Sequence, residues 1–495
     1  MHRINEQEKS HALLEMAVIL SFFVWLIWNC FYGERIPEAH GIGFDGVLYA
    51  SMAEHFPAFI FHHAQSAYSI QRMLPSGIIY YVIRLFHFSV KHEQMPFVFS
   101  IYNTVILTLA VYFWHKIANF LRWNGQVRIL SFCGLFLNYA ILKMNTYDPV
   151  LTDTSAFVCS LAMLYFYLTD IKWALLLTTI VGTFIFPTLM LAGLVLFIFL
   201  NKDQNKSYRP VENNQFASVI LSLVCALLLS MAIFVIYRKW GQQGFALGSY
   251  YQSPVLYISL FAVFIFLYQI FYPVVENGKQ TVSTVFRQAM SYRLIVAVVL
   301  GLFLKFLVAC LASPKAGPMT LAVFLKTIFI NSLAYPFIFL VSHIIYYGPV
   351  VCLIVFFWRE VIRYLKSRED TGLFVLAVCY SILLIDTEAR QIINFLPVIA
   401  IGLFQVLNKK HIPLPFVFSF LGLDLLLSRC WLPLSHGWAS LLTNPPEVTL
   451  AFPMQWYFMS FGPWMSHSMY LIFLLVSVIS LMTIRLFTNK LKPLT

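Results

Sequence analysis

Long apolar segments separated by short polar ones run through almost the whole chain. A transmembrane helix needs about 20 apolar residues, whereas a stretch of about 10 to 14 is more often interfacial or buried. By this length rule residues 13–32, 97–114 and 129–143 are the first three spans. Later apolar segments predict further spans at roughly 154–169, 173–186, 187–201, 217–237, 254–274, 294–312, 339–358, 371–386, 389–408, 413–433 and 468–487. The pattern predicts an all-α integral membrane protein, a bundle of about 12 to 14 transmembrane helices.

The polar loop after the first span is predicted to contain helices that lie on the membrane. Residues 47–60 have the pattern of a short amphipathic helix at the bilayer surface. Residues 73–88 begin with Leu-Pro-Ser-Gly and carry Arg84 and His87, which leaves too short an apolar run to cross. We therefore expect a juxtamembrane helix at 73–88 and a single outer loop over residues 33–96.

Basic residues determine the predicted orientation. The loop between the second and third spans carries three of them, and the positive-inside rule places such a loop in the cytoplasm. With both termini also in the cytoplasm, most of the later basic loops fall on that side. The outer loop and the turn with Asp148 and Asp153 then share the opposite face. If residues 73–88 crossed the membrane, these two acids would lie on the face away from Asp45.

Composition supports the membrane assignment and limits the partners. Hydrophobic residues make up 60% of the 495 residues and charged ones 11%, and the mean hydropathy is +0.77. This excludes an ordinary soluble globule. The net charge of +12 is best explained by cytoplasmic lysines and arginines, so we expect a lipid bilayer and no nucleic acid as partner. The eight cysteines form no CxxC motif and have the positions of small core residues.

Asp45 is the first aspartate of the chain and lies where the chain leaves the bilayer. Pro37 and two glycines before it mark a turn. A carboxylate at this place could take a proton in catalysis. It could equally cap the helix that follows by accepting from the amides of its first turn. Both interpretations stay open from the residues alone.

Acids and arginines recur at three separate outer turns, while the rest of the chain is poor in both. Sparse charges near span ends on one face indicate a functional site. Each also has a structural alternative, since an Asp before Pro can begin a turn, an Asp can cap a helix, and an Arg can snorkel to the interface. The residues are Asp45, Arg72, Asp148, Asp153, Asp386, Glu388 and Arg390.

Three stretches in the first 200 residues resemble the GT-C superfamily of membrane glycosyltransferases, which use polyprenyl-phosphate-linked sugars. Residues 44–50, Phe-Asp-Gly-Val-Leu-Tyr-Ala, are similar to the acid-x-x-x-Tyr-Ala element in lipid A aminoarabinose transferases and protein O-mannosyltransferases. Residues 72–80, with Leu-Pro-Ser-Gly, resemble the Pro-led juxtamembrane helix that follows it. Residues 145–153, Asn-Thr-Tyr-Asp-Pro-Val-Leu-Thr-Asp, resemble the second outer loop, whose acid matches either Asp148 or Asp153.

Two further regions bear on this resemblance. Residues 386–390, Asp-Thr-Glu-Ala-Arg, resemble an acid-and-arginine turn before a late span in some bacterial members. Before Pro187 the chain lacks the Lys or Arg-Glu that relatives often have. The resemblance implies a catalytic transmembrane module at 1–201 and a variable module at 202–495. It also implies a bacterial inner-membrane enzyme, for which the basic loops predict both termini in the cytoplasm.

The expected reaction moves a sugar from a polyprenyl-phosphate donor to a lipid, glycan or protein acceptor outside the cytoplasm. A carboxylate should take the acceptor proton while cations hold the departing phosphate. We expect no cofactor, although a divalent metal stays open, and His40, His55, His62 and His63 match no metal-ligand spacing. The predicted site comprises Asp45, Asp148 and Asp153 as catalytic acids, Arg72, Arg390 and Lys305 at the donor phosphate, and Tyr49, Asp386 and Glu388 at the substrate.

Two other functions remain open at this point. A polytopic transporter or lipid flippase would also be apolar and basic, but transporters place charges near the bilayer midplane, commonly within inverted repeats. Here the acids cluster at loop edges, with Asp424 and Lys305 as exceptions. A non-catalytic protein with a GT-C-like fold is the second alternative, because of the missing basic residue near Pro187.

Overall fold

The computed structural model describes residues 2–61, 65–200, 215–240, 254–276, 278–313, 321–368, 370–435, 465 and 467–493. Within these ranges the protein consists of 21 helices and one pair of two-residue strands. Six helices are long and apolar enough to cross a membrane, and seven if one bent pair counts as a single span. The structure is therefore that of an all-α membrane protein, as the apolar pattern predicted.

The first ten helices and the turns between them carry five of the nine predicted site residues. Their bounds are α1 His2–Tyr32, α2 Gly46–Phe61, α3 Ala67–Ile70, α4 Leu74–Leu85, α5 Met95–Phe120, α6 Gly125–Phe136, α7 Asn145–Tyr147, α8 Asp153–Leu168, α9 Lys172–Thr183 and α10 Pro187–Ile198. A π-helical turn, Ala140–Met144, precedes α7, and short 3-10 turns lie at Glu38–Gly41 and His92–Gln94.

The remaining helices complete the bundle and are joined at one end by the strand pair. They are α11 Gln215–Trp240, α12 Val255–Val275, α13 Gly278–Ala289, α14 Tyr292–Leu311, α15 Leu321–Asn331, α16 Ile338–Tyr347, α17 Pro349–Ser367, α18 Thr371–Leu383, α19 Leu396–Leu407, α20 Leu414–Ser428 and α21 His467–Thr488. Strand β1, Lys410–His411, pairs with β2, Lys492–Pro493, in antiparallel register. A 3-10 turn, Ala389–Ile392, precedes α19.

Two predicted spans are broken helices. The span at 129–143 bends by 52° after α6, where the Asn138 amide donates to the backbone oxygens of Gly134 and Leu135 and accepts from the amide of Ile141. These bonds satisfy backbone groups that the break would leave unpaired in an apolar setting. The span at 339–358 is interrupted at Gly348, whose φ of +75° ends α16.

The predicted juxtamembrane helix is present as α4, which has only 12 residues. It lies against α2, and the two backbones approach closely because Gly77 has no side chain. A Cβ at Gly77 would lie 2.5 Å from the ring of Phe56. Ser76 adds a hydrogen bond of 2.9 Å from its hydroxyl to the backbone oxygen of Tyr49. The length and this packing agree with a helix that lies beside the bundle and does not cross.

The core of the bundle near α1, α5 and α6 is a cluster of edge-to-face aromatic rings. Phe22 and Trp114 each contact Phe132, with ring centroids 5.5 and 5.1 Å apart. The indole N–H of Trp114 is satisfied inside this cluster by the Ser131 hydroxyl at 3.0 Å. Aromatic rings pack well in this geometry, and a buried indole needs such a partner.

Contacts between distant segments define the two ends of the bundle. At one end, called the basic end here, Arg128 pairs with Glu15 in the first half of α1 at 2.7 Å, and the amide of Asn124 donates to the Asn408 side chain next to β1. The first helix therefore begins at the end where β1 and β2 pair. At the other end, called the site end, the amide of Ile36 donates to the backbone oxygen of Tyr147.

Candidate functional site

Four separate segments bring charged side chains together at the site end. One is the turn before α2, the second joins α3 to α4, the third joins α7 to α8, and the fourth joins α18 to α19. The closest link between distant parts is a 2.9 Å ion pair between Arg390 and Asp45, which are 345 residues apart. We call this group the site cluster; its members are Asp45, Arg72, Asp148, Asp153, Glu388 and Arg390.

Arg390 connects the carboxylates of the site cluster. Its Nη2 donates to Asp45, and its Nε donates to Glu388 at 2.7 Å. Glu388 also accepts from the side chain of Gln391 at 2.5 Å, which fixes the turn that carries the arginine. Burial alone would lower the pKa of Arg390, but Glu388 and Asp45 raise it well above its ordinary value. The guanidinium is therefore a permanent positive charge with two of its donors already engaged.

Asp45 is the accessible acid of the cluster, with 49% of its side chain exposed. Within the described residues its carboxylate bonds to Arg390 and not to the first-turn amides of α2, so it does not act as the helix cap. Partial burial would raise the pKa of Asp45, but the guanidiniums of Arg390 and Arg72 outweigh it and hold the pKa below its ordinary value. Asp45 is therefore ionised at neutral pH.

Asp148 is buried beside Asp45 and has a different protonation state. Its Oδ1 has no hydrogen-bond partner within the described part of the chain, and it lies against Gly43. Gly43 has a φ of +78°, and a Cβ at this position would lie 2.7 Å from Oδ1. Burial raises the pKa of Asp148 to about 8, even with Arg390 nearby. A carboxyl with this pKa is mostly protonated at neutral pH.

Asp153 is the first residue of α8 and is also buried. Its side chain caps no amide of the helix, and its Oδ1 is without a partner among the described residues. The loop that carries both buried acids is held by α5, because the Asn103 amide donates to the backbone oxygens of Asn145 and Pro149 at 3.1 and 2.8 Å. The capping role that the sequence left open is not observed.

Arg72 is a buried guanidinium held between two aromatic rings. Its Cζ lies 4.5 Å from the centroid of Tyr68 and 4.2 Å from that of Phe186. Within the described residues its Nε has no hydrogen-bond partner, and it makes no ion pair. Burial would lower its pKa, but the nearby Tyr68 and Tyr49 hydroxyls and Asp153 raise it. Arg72 therefore carries a positive charge that can bind a further anion, and the two rings hold the plane of its guanidinium.

Three predicted site residues lie at the edge of the cluster or outside it. Tyr49 is buried next to Arg72. Asp386 accepts from the amide of Glu388 at 3.0 Å, which shapes the turn, and burial raises its pKa to about 8. Lys305 lies on the exposed surface of α14 and makes no ion pair within the described residues. No ion pair or hydrogen bond among the described residues joins Lys305 to the site cluster.

Sequence reasoning missed the two rings around Arg72. Tyr68 precedes Arg72 by four residues, a spacing that places two side chains on one face only if a helical turn continues through both. Phe186 stands directly before Pro187 and reaches Arg72 because the amide of Leu74 donates to the backbone oxygen of Phe184 at 2.9 Å. This contact between distant segments has no signature in the sequence.

The described residues contain no group of three or more His, Cys, Asp or Glu side chains arranged to hold a metal ion. His62 and His63 lie outside the described residues.

Comparisons with protein-family models, with curated proteins and with solved structures found no match to this chain. The fold itself defines the class, a multi-pass helical membrane protein with a charged site at one end.

Proposed function

We propose that the protein is an inverting membrane glycosyltransferase that moves a sugar from a polyprenyl-phosphate donor to a lipid, glycan or protein acceptor. The observation that carries this proposal is the site cluster itself. It combines an exposed, ionised carboxylate on Asp45 with a buried guanidinium on Arg72 that has no carboxylate partner within the described residues. A base and an anion site side by side, next to apolar helices, are what transfer from a lipid phosphate needs.

In the proposed reaction Asp45 accepts the proton of the acceptor hydroxyl. The acceptor oxygen forms a bond to the anomeric carbon as the bond from that carbon to the phosphate oxygen breaks. Polyprenyl phosphate leaves with the electron pair of the broken bond. Because the attack comes from the side opposite the phosphate, the configuration inverts.

Arg72 and Arg390 have different parts in this proposal. Arg72 binds the departing phosphate, because a guanidinium can donate two parallel hydrogen bonds to phosphate oxygens. Arg390 already donates to Asp45 and Glu388, so its main part is to orient Asp45. Asp148, protonated at neutral pH, can donate a hydrogen bond to a sugar oxygen without adding negative charge near the phosphate.

In this proposal the protein lies in a bacterial inner membrane, and the site faces away from the cytoplasm. The basic end contains the start of α1 and both strands, and positively charged loops are retained in the cytoplasm. Both termini would then be cytoplasmic and the site cluster would face the other side.

The test uses membranes that contain the full-length protein and a radiolabelled hexose on undecaprenyl phosphate. We expect the change Asp45→Asn to lower the rate of label transfer by at least about 100-fold, the usual contribution of a positioned base. Arg72→Gln should lower it by a similar factor of about 100, because one donor to the developing charge is lost. Lys305→Gln is the control and should keep the wild-type rate. Full transfer by Asp45→Asn would rule out the proposed base.

A second candidate function, a transporter or flippase, is supported by one residue. Asp424 on α20 is completely buried, and both of its carboxylate oxygens lack a partner within the described residues. It lies against Gly348, where the helix breaks between α16 and α17. Buried acids at broken helices occur in transporters.

One variant separates the two functions. Asp424→Asn should leave label transfer at the wild-type rate if the protein is the proposed transferase, because the residue does not touch the site cluster. If the wild-type protein transfers no label while Asp424→Asn abolishes lipid or solute movement that the wild type supports in proteoliposomes, the transporter is the better assignment.

A further inference from the structure

A cavity lies within the bundle, between α12, α16, α17, α18, α19 and α21, and none of the site cluster lines it. Its volume is about 640 Å³. Most of its wall is apolar, and α17 contributes Val351, Ile354, Val355 and Trp358 from one face. These positions are spaced three and four residues apart, as one side of a helix requires. Val355 is 40% exposed, so the cavity opens toward the surroundings of the bundle.

The polar groups of this cavity lie at its two ends. Arg359 and Arg485 line it in the halves of α17 and α21 that approach the basic end. Arg359 donates to the side chain of Gln269 at 3.3 Å, and neither arginine pairs with a carboxylate within the described residues. Near the site end, His343 and Tyr347 close the cavity, and the Tyr347 hydroxyl donates to the backbone oxygen of Ala389.

The length of the cavity matches the depth of one leaflet of a bilayer. From Val351 to Arg359 the lining face of α17 rises by roughly 12 Å at 1.5 Å per residue. One leaflet of hydrocarbon is about 15 Å deep, half of a core of about 30 Å. An extended chain that begins at the two arginines would thus end beneath the turn that carries Arg390.

We propose that this cavity binds one acyl chain of an anionic phospholipid, whose phosphate is held by Arg359 and Arg485. Apolar walls favour a hydrocarbon chain, because they pack against it by van der Waals contact and offer no partner to a polar ligand along most of the cavity. Two guanidiniums at one end, neither with a carboxylate partner among the described residues, favour a phosphate. The lipid comes from the leaflet at the basic end, because both arginines lie in the halves of α17 and α21 that approach that end. The site is therefore distinct from the proposed donor site and does not depend on the transferase activity.

Native mass spectrometry of the full-length protein in detergent, titrated with phosphatidylglycerol, tests this proposal. We expect the double change Arg359→Gln with Arg485→Gln to weaken lipid binding at least tenfold. The double change Arg287→Gln with Arg368→Gln removes the same charge from exposed positions outside the cavity and should bind as the wild type does. Equal losses of lipid binding in the two double variants would overturn the proposal, because only general attraction between charges would then hold the lipid.

A second variant tests the acyl chain separately. Val355→Trp fills the half-exposed mouth of the cavity without placing a large ring in the core, so the fold should be retained. We expect it to weaken phosphatidylglycerol binding at least tenfold while the thermal midpoint without lipid stays unchanged. Unchanged lipid binding by Val355→Trp, or equally tight binding of soluble glycerol phosphate by the wild type, would overturn the proposal.

Discussion

The protonation state of Asp148 predicts how stability depends on pH. The carboxyl is buried with no partner for Oδ1 within the described residues, and its pKa is about 8 where an ordinary aspartate has 3.8. Between these pH values the folded protein holds a proton that the unfolded chain has released. The stability that this proton on Asp148 contributes is therefore complete below the ordinary aspartate pKa and is lost as the pH rises toward 8. The loss is about 1.4 kcal/mol per pH unit for each such group.

Asp148→Asn removes this titration and keeps the shape of the side chain. Asp386, whose pKa is also about 8, contributes the same slope and remains in the variant. We therefore expect the free energy of unfolding to fall less steeply between pH 5 and pH 8. The slope should decrease by the contribution of one proton, about 1.4 kcal/mol per pH unit, but should not disappear. Asp45→Asn is the control. The pKa of Asp45 is lowered in the folded protein, so the stability that its carboxylate contributes is lost only as the pH falls below the ordinary aspartate range.

Thermal unfolding of the detergent-solubilised protein, followed by tryptophan fluorescence, measures these slopes. Trp114 and Trp123 are buried and report loss of the core. The wild type should unfold at lower temperature at pH 8 than at pH 5, Asp148→Asn should show a smaller difference, and Asp45→Asn should match the wild type. A wild-type slope in Asp148→Asn would show that this carboxyl is already ionised at pH 5 and would refute the reasoning.

Three further outcomes are expected. Gly43→Ala should lower the free energy of unfolding by at least about 1–2 kcal/mol, because the residue has a positive φ, whereas Gly422→Ala, with open space around it, should not destabilise in denaturant titrations. Glu34→Gln should cost about 3 kcal/mol, because it leaves the Lys143 ammonium buried without its 2.7 Å carboxylate partner; a thermal midpoint equal to wild type would contradict this. Arg390→Lys should lower sugar transfer about tenfold or more, since an ammonium cannot reproduce the guanidinium fork; a wild-type rate would show that the fork is not needed.

The sequence alone determined most of the helices and the residue types of the site. Long apolar runs produced α1, α5 and α11, because a backbone in lipid must satisfy its own hydrogen bonds; α5 and α11 lie close to the predicted bounds, whereas α1 ends as predicted but begins 11 residues earlier. The shortness of the run before residue 88 predicted that α4 would not cross. Scarcity of charge then identified Asp45 and Arg390 as candidates, since an ion near lipid is costly unless it has a role.

Tertiary structure alone decided which of these residues meet and in what state. Asp45 and Asp148 are the same residue type, yet one is ionised beside Arg390 and the other is protonated, because burial and neighbouring charges differ. The rings around Arg72 and the position of Lys305 outside the cluster follow from helix packing. Local sequence controls backbone conformation over a few residues, but contacts between segments hundreds of residues apart depend on how all the helices pack together.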